Sequence, residues 1–344
     1  MPSMTRRAFG LYAFAGSVAS GGAIGTFAPA FAADKVKVGI LPLTSHSPDI
    51  IAAGKGYFAK QGIEVSFSTF LAAQPMAVAI ASGDVDFGIT AISGGLISLA
   101  DKGAVKVIGG ALEEVPGVEG EKIIVSRKAY DAGVTTPAKL KGRSFGITTT
   151  GSSFHYMAHK IAQKEGFPDS ALDLKPLQKV PAVIAALKSG QIDAWSIVPN
   201  IADALTKGPS VIEIGKISDY IPNYQVTTVF TSTANINKKP DLVKRFLAAY
   251  SKGVDDYNAA LVQKTMSKAD TDAIVKMIHQ YVYASMPMEK AAARIRAGAM
   301  RISPNAELNL ASVKDQLDWF KAEKMVPAGV TMDKLVDTRF VKTK

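Results

Sequence analysis

The sequence predicts an α/β chain of two similar lobes, each a mostly parallel sheet flanked by helices, followed by a helical tail. Three observations carry this. From Val36 onward, short apolar and β-branched runs alternate with segments of helical spacing. The alternation stops at a polar connector, Pro137 to Gly142, and restarts at Arg143. Beyond Thr231 the apolar pattern is helical throughout.

In chain order, Val36 to Leu41 reads as the first strand. Helical spacing follows over Ile50 to Phe58, closed by a turn at Gly62, and Ile63 to Phe67 is the second strand. Met76 to Ile80 is a helix stopped at Gly83, Val85 to Ile89 a strand and Ile92 to Leu99 a helix. Val105 to Ile108 and Ile123 to Val125 are further strands. The second round gives strand Arg143 to Thr148, helix Ser152 to Lys164 and strand Leu172 to Leu174. Helix Ala182 to Leu187, strand Ile192 to Val198 and helix Ile201 to Leu205 follow. Gln225 to Thr231 is β-branched and reads as a strand returning to the first lobe. The tail helices are Pro240 to Leu261, Lys268 to Tyr283, Glu289 to Ala299 and Leu308 to Lys324. The lobes are therefore expected at 34–126 plus 226–344, and at 127–225. They echo each other: in Gly83-Asp84-Val85-Asp86 and Gly190-Gln191-Ile192-Asp193 a helix ends at glycine and an aspartate leads into a strand. Asp86 and Asp193 are expected to orient backbone there.

The N-terminus carries Thr5-Arg6-Arg7-Ala8-Phe9, an apolar run to Phe27, and Ala30-Phe31-Ala32 before the first acid, Asp34. This pattern reads as a twin-arginine-type export signal over 1–32, cleaved after Ala32, which places the mature protein in the periplasm. The net charge is +10; residues 1–32 hold two arginines and no acid, so cleavage leaves +8. No dense Lys/Arg run with interleaved aromatics occurs, so a nucleic-acid partner is not expected. With no cysteine, disulfides, thiolate metal sites and a cysteine nucleophile are excluded. His155 and His159 are one helical turn apart, but no Glu lies between them, and no metal or other cofactor is expected.

Several stretches appear in an order that resembles one family. They are Gly56-Tyr57-Phe58-Ala59-Lys60-Gln61-Gly62-Ile63-Glu64-Val65, the Ala81 to Gly88 and Leu140 to Ile147 segments, Ala185 to Trp195, Val326 to Val330 and Asp337 to Val341. Together they resemble the periplasmic solute-binding proteins of nitrate, sulfonate and taurine ABC importers, with the pyrimidine-precursor-binding branch on the same fold. The resemblance implies a two-lobed type II periplasmic binding protein with a two-strand hinge, a ligand cleft between the lobes, and C-terminal helices packed on the first lobe. It implies a monomeric receptor that captures a small anionic solute, a sulfonate or carboxylate, and hands it to a membrane permease. A sensor partnered with a membrane receptor is the alternative, as is an enzyme related to pyrimidine synthesis. No enzymatic activity is expected: Thr150-Gly151-Ser152-Ser153-Phe154 lacks the second glycine of a nucleophile elbow.

Strand ends face the cleft in open α/β sheets, and four such segments stand out. The first holds Thr44, Ser45 and His46, the second Thr90, Ser93 and Gly94. The third holds Thr149, Gly151, Ser152, Ser153, Phe154 and His155, and the fourth Pro199 and Asn200. Ser152 and Ser153 start a helix, where free N–H groups and the dipole favour an anion; ordinary N-capping is the competing role. His155-Tyr156 matches the taurine-type pattern. Sulfonate-binding relatives tend to carry a tryptophan just before the Pro199 region; here Val198 stands near that place and Trp195 reads as core. The returning strand, Gln225-Val226-Thr227-Thr228, offers no carboxylate for an ammonium, so a simple anion is expected rather than a zwitterion.

Overall fold

A computed structural model describes residues 33–344; the expected export signal lies outside them. Among the described residues no helix is long and apolar enough to cross a membrane.

Among the described residues ten strands form two separate five-stranded sheets. They are β1 (Asp34–Ile40), β2 (Ile63–Thr69), β3 (Phe87–Ala91), β4 (Val105–Gly110), β5 (Lys122–Ser126), β6 (Ser144–Ile147), β7 (Asp173–Pro176), β8 (Ala194–Ile197), β9 (Val211–Lys216) and β10 (Thr227–Ser232). The sheet orders are β2-β1-β3-β10-β4 and β7-β6-β8-β5-β9. In each, four strands run one way and the fourth in order, β10 or β5, runs against them. The inner strands β3 and β5 are buried on both faces, as the unbroken burial of Phe87–Ala91 and of Ile123 to Val125 shows, whereas β1 begins by alternating buried Val36 and Val38 with exposed Lys35 and Lys37. Asp86 and Asp193 play equivalent parts. Each accepts the backbone N–H of a neighbouring strand, from Lys37 at 2.8 Å and from Ser144 at 2.9 Å.

The lobe boundary differs from the expected one. β5 pairs with β8 and β9, so residues 122–126 stand in the second sheet rather than the first. The chain crosses between the sheets after β4 and again after β9. The two crossing segments pair with each other: Glu114 N–H donates to Tyr224 O at 2.9 Å and Val226 N–H to Leu112 O at 2.9 Å.

The tail also departs from expectation. Its long helix, Pro240–Tyr257, does cover the first sheet, with Phe246 stacked on Phe87 at 3.9 Å between centroids. The helix Leu310–Ala322 instead reaches the second lobe. Its Asp315 accepts from Tyr156 and pairs with Lys160 at 2.7 Å, and Trp319 lies edge-on to Tyr156. Amphipathic spacing gives such a helix a buried face but does not say which lobe supplies it.

Asp49 lies in the helix Ser47–Gly54, whose partner is the long tail helix. Its carboxyl is fully buried and neither oxygen has a hydrogen-bond partner. Burial holds its pKa well above the usual carboxylate range. A raised folded-state pKa stabilises the fold below the unfolded value and loses that contribution as pH rises through the folded one. Asp49→Asn cannot titrate. Its melting temperature should therefore gain on the parent's between pH 4.5 and pH 8; a gap independent of pH would show that Asp49 is not buried as an acid.

Candidate functional site

The strand ends of both sheets meet at a small cavity of about 50 Å³. The first lobe contributes Leu41, Leu43, Ser45, His46, Ala72, Ala73, Thr90 and Ala91; the second contributes Thr148, Ser152, Ser153, Phe154, Val180, Ile197 and Val198. Both crossing segments contribute, through Leu112 and Glu121 on one and Val226 on the other, with Thr227 opening β10 beside it. Two backbone hydrogen bonds tie the lobes across the cleft: Gly94 N–H to Gly151 O at 3.0 Å, and Val180 N–H to Leu71 O at 3.3 Å. Gly151 holds a left-handed backbone, φ 72°, with Phe320 3.3 Å from where a Cβ would stand. An outer groove of about 330 Å³, almost wholly apolar, shares Leu41, Leu43 and Val180 with the cavity wall and ends at Tyr283 and Arg294.

Six of the residues singled out in the sequence line the cavity: Ser45, His46, Thr90, Ser152, Ser153 and Phe154. Others stand nearby with different employment. Thr44 is buried but off the wall. Ser93 is a helix cap, its Oγ accepting from Leu96 N–H at 3.2 Å. Gly94 and Gly151 make the interlobe bond. Thr149 supplies its carbonyl to Ser152 N–H. His155 accepts from Gly151 N–H through Nδ1 at 3.1 Å and stands edge-on to Trp319, which makes it a brace for the loop. Pro199 and Asn200 lie outside the wall; Asn200 Nδ2 donates to Tyr283 Oη at 2.7 Å, and the end of the helix Met288–Ala297 packs on it. His155 and His159 do not act as a pair. His159 Nδ1 lies 2.6 Å from Asp169, and this pair, with Glu323, makes the one metal-capable group among the described residues, away from the cavity.

Ser152 differs from Ser93 although both are N-caps. The Ser152 hydroxyl makes no cap bond, is buried, and has no partner. The Ser45 hydroxyl is likewise unpartnered. Both are buried wall hydroxyls available to a ligand.

Among the described residues no Lys or Arg lines the cavity. Burial pulls the His46 pKa down to about 3, so its ring is neutral near pH 7. The one acid on the wall is Glu121, 2% exposed, with Oε2 unpartnered. Burial, then the neighbouring Glu114, holds its pKa well above the usual range. Sequence reasoning missed Glu121 because it stands immediately before β5, and only the antiparallel pairing of β5 with β8 brings that end to the cleft. It also missed Ala72 and Ala73, although they stand in the short connection after β2 and at the start of the helix that follows, where the strand-end rule reaches.

Comparison with known proteins agrees with this architecture. The NMT1/THI5-like profile matches residues 43–260. A Brucella abortus protein described as a binding protein is 27% identical over 237 residues, covering 67% of this chain and 70% of its own length. The alkanesulfonate-binding protein SsuA from Xanthomonas axonopodis pv. citri, solved bound to MOPS, superposes with a TM-score of 0.68 at 18% identity, over 92% of this chain and all (100%) of that one. The periplasmic nitrate-binding protein NrtA from Synechocystis PCC 6803 gives a TM-score of 0.67 at 14% identity, over 90% and 87%. At these identities the two structures speak to the fold alone. The chain carries the fold of periplasmic binding proteins and belongs to the NMT1/THI5-like family.

Proposed function

We propose that the protein is an extracytoplasmic receptor that captures a small solute between its lobes and delivers it to the permease of an ABC importer. The observation that carries this reading is the cavity itself: both lobes and both crossing segments build its wall, so closure and ligand contact are one event. A catalytic reading has less to stand on. The neutral His46 and the unpartnered Ser45 and Ser152 hydroxyls are binding donors without an assembled nucleophile–base pair. The relatives above are described as binding proteins.

The expected solute is small, and its polar end meets neutral donors rather than a side-chain cation. Thermal unfolding across sulfonates, carboxylates, nitrate and pyrimidines tests the reading. A ligand at a hundred times its Kd adds about 2.7 kcal/mol of apparent stability. Ala73→Trp places an indole in the cavity and should remove that shift while leaving the ligand-free protein folded. A shift that survives Ala73→Trp would place the ligand elsewhere and overturn the reading.

A further inference from the structure

The crossing segment between β4 and β5 carries four glutamates, Glu113, Glu114, Glu119 and Glu121. Two have cations: Lys344 Nζ lies 2.9 Å from Glu113, and Lys122 Nζ lies 3.2 Å from Glu119. Lys122 is further committed to Asp203 at 2.7 Å and Glu213 at 3.1 Å, so it is not free for its neighbour Glu121. Among the described residues Glu114 and Glu121 have no positive partner. Glu114 Oε1 accepts the backbone N–H of Glu121 at 2.7 Å, but Oε2 of both residues has no donor. The hydroxyl of Tyr224, on the facing crossing segment and fully buried, is unpartnered too. Of this group only Glu121 reaches the cavity wall.

A buried carboxyl with an empty acceptor is costly, and burial beside Glu114 also opposes its ionisation. A group bringing both positive charge and N–H donors removes both costs. We propose that the solute carries a cationic nitrogen group, an ammonium or amidinium, which Glu121 holds at the crossing-segment end of the cavity, with Glu114 and Tyr224 behind it. This rests on the receptor reading above and revises the expectation of a simple anion. That expectation was drawn from the returning strand, which has no acid; the acid comes from the opposite segment. A polar or anionic far end would meet Ser152 and Ser153 on the second lobe's part of the wall.

Matched probes test it by calorimetry: β-alanine against propanoate, taurine against ethanesulfonate, and propylammonium as a cation alone. At least one nitrogen-bearing probe should bind saturably, and its deaminated partner should bind at least ten-fold more weakly. Glu121→Gln keeps the shape and should weaken the bound probe ten-fold or more without lowering the ligand-free melting temperature. Two controls separate the claims. If propanoate or ethanesulfonate binds as tightly as its partner, and Glu121→Gln changes nothing while Ala73→Trp abolishes binding, the cleft is a receptor site and the cationic class is wrong. If no probe and no member of the wider panel binds, the receptor reading falls and the proposal with it.

Discussion

Trp195→Ala is expected to destabilise the protein by about 3–5 kcal/mol, the usual loss when a buried Phe or Trp is cut to Ala. Few substitutions here should cost more. Trp195 lies in β8, is fully buried, and packs on Phe154 with centroids 5.4 Å apart. Its Nε1–H has no partner, so the loss is one of packing and cavity formation with no hydrogen bond to subtract. Set against the 5–15 kcal/mol typical of a folded domain, this consumes much of the margin. Trp195→Phe keeps most of the volume, discards the unsatisfied donor, and should cost far less. The function should follow the packing. Phe154 lines the ligand cavity and rests on Trp195, so the Ala variant lets the cavity wall recede. Urea unfolding reads the stability as a shift in midpoint at constant slope. A Trp195→Ala midpoint equal to that of the parent would mean that the indole is not a core group.

What could be read from the sequence, and what could not, divides along the range of the signals. The alternation of strand and helix, the restart after Pro137 and the turns at Gly83 and Gly190 are local, set by side-chain period and backbone freedom. So is the backbone-orienting work of Asp86 and Asp193, announced by their place just ahead of a strand. The sheet that Ile123 to Val125 joins is not local. An apolar triplet fits either sheet, and where the chain crosses decides between them. The same limit governs the site. Strand ends gave Ser45, His46, Thr90 and Ser152 to Phe154, because topology alone brings strand ends to the cleft. His155 has the chemistry of a ligand contact, but helix rotation turns it to Gly151 and Trp319. Nothing in Glu119-Gly120-Glu121-Lys122 marks one glutamate as buried and the other as exposed. Only folding shows that Glu119 and Lys122 pair with each other while Glu121 is turned inward.

Replacing Ser152 and Ser153 together by Ala should weaken solute binding ten-fold or more, and Ser93→Ala should not. The three serines carry the same signature in the sequence, a small hydroxyl residue at a helix start. The structure gives them different work. The Ser93 Oγ is spent on Leu96 N–H, so its removal costs about 1 kcal/mol of stability, as for other N-caps, and leaves the cavity wall alone. Ser152 Oγ accepts no cap bond, is buried and unpartnered, and faces the cavity beside Ser153. A hydrogen bond to a charged group contributes about 1.5–3 kcal/mol, and each 1.4 kcal/mol is ten-fold in Kd. Losing one such bond already exceeds the ten-fold mark. Stability should move the other way: deleting an unsatisfied buried hydroxyl at Ser152 leaves the ligand-free protein as stable as the parent or more so. Calorimetric titration with the tightest panel ligand, alongside thermal unfolding without ligand, separates the two roles on two axes. The double variant should lose affinity and keep its melting temperature, while Ser93→Ala should keep affinity and lose melting temperature. The reverse pattern would mean that the anion-favouring end of the site is the helix start at Ser93, with Ser152 and Ser153 acting only as structure.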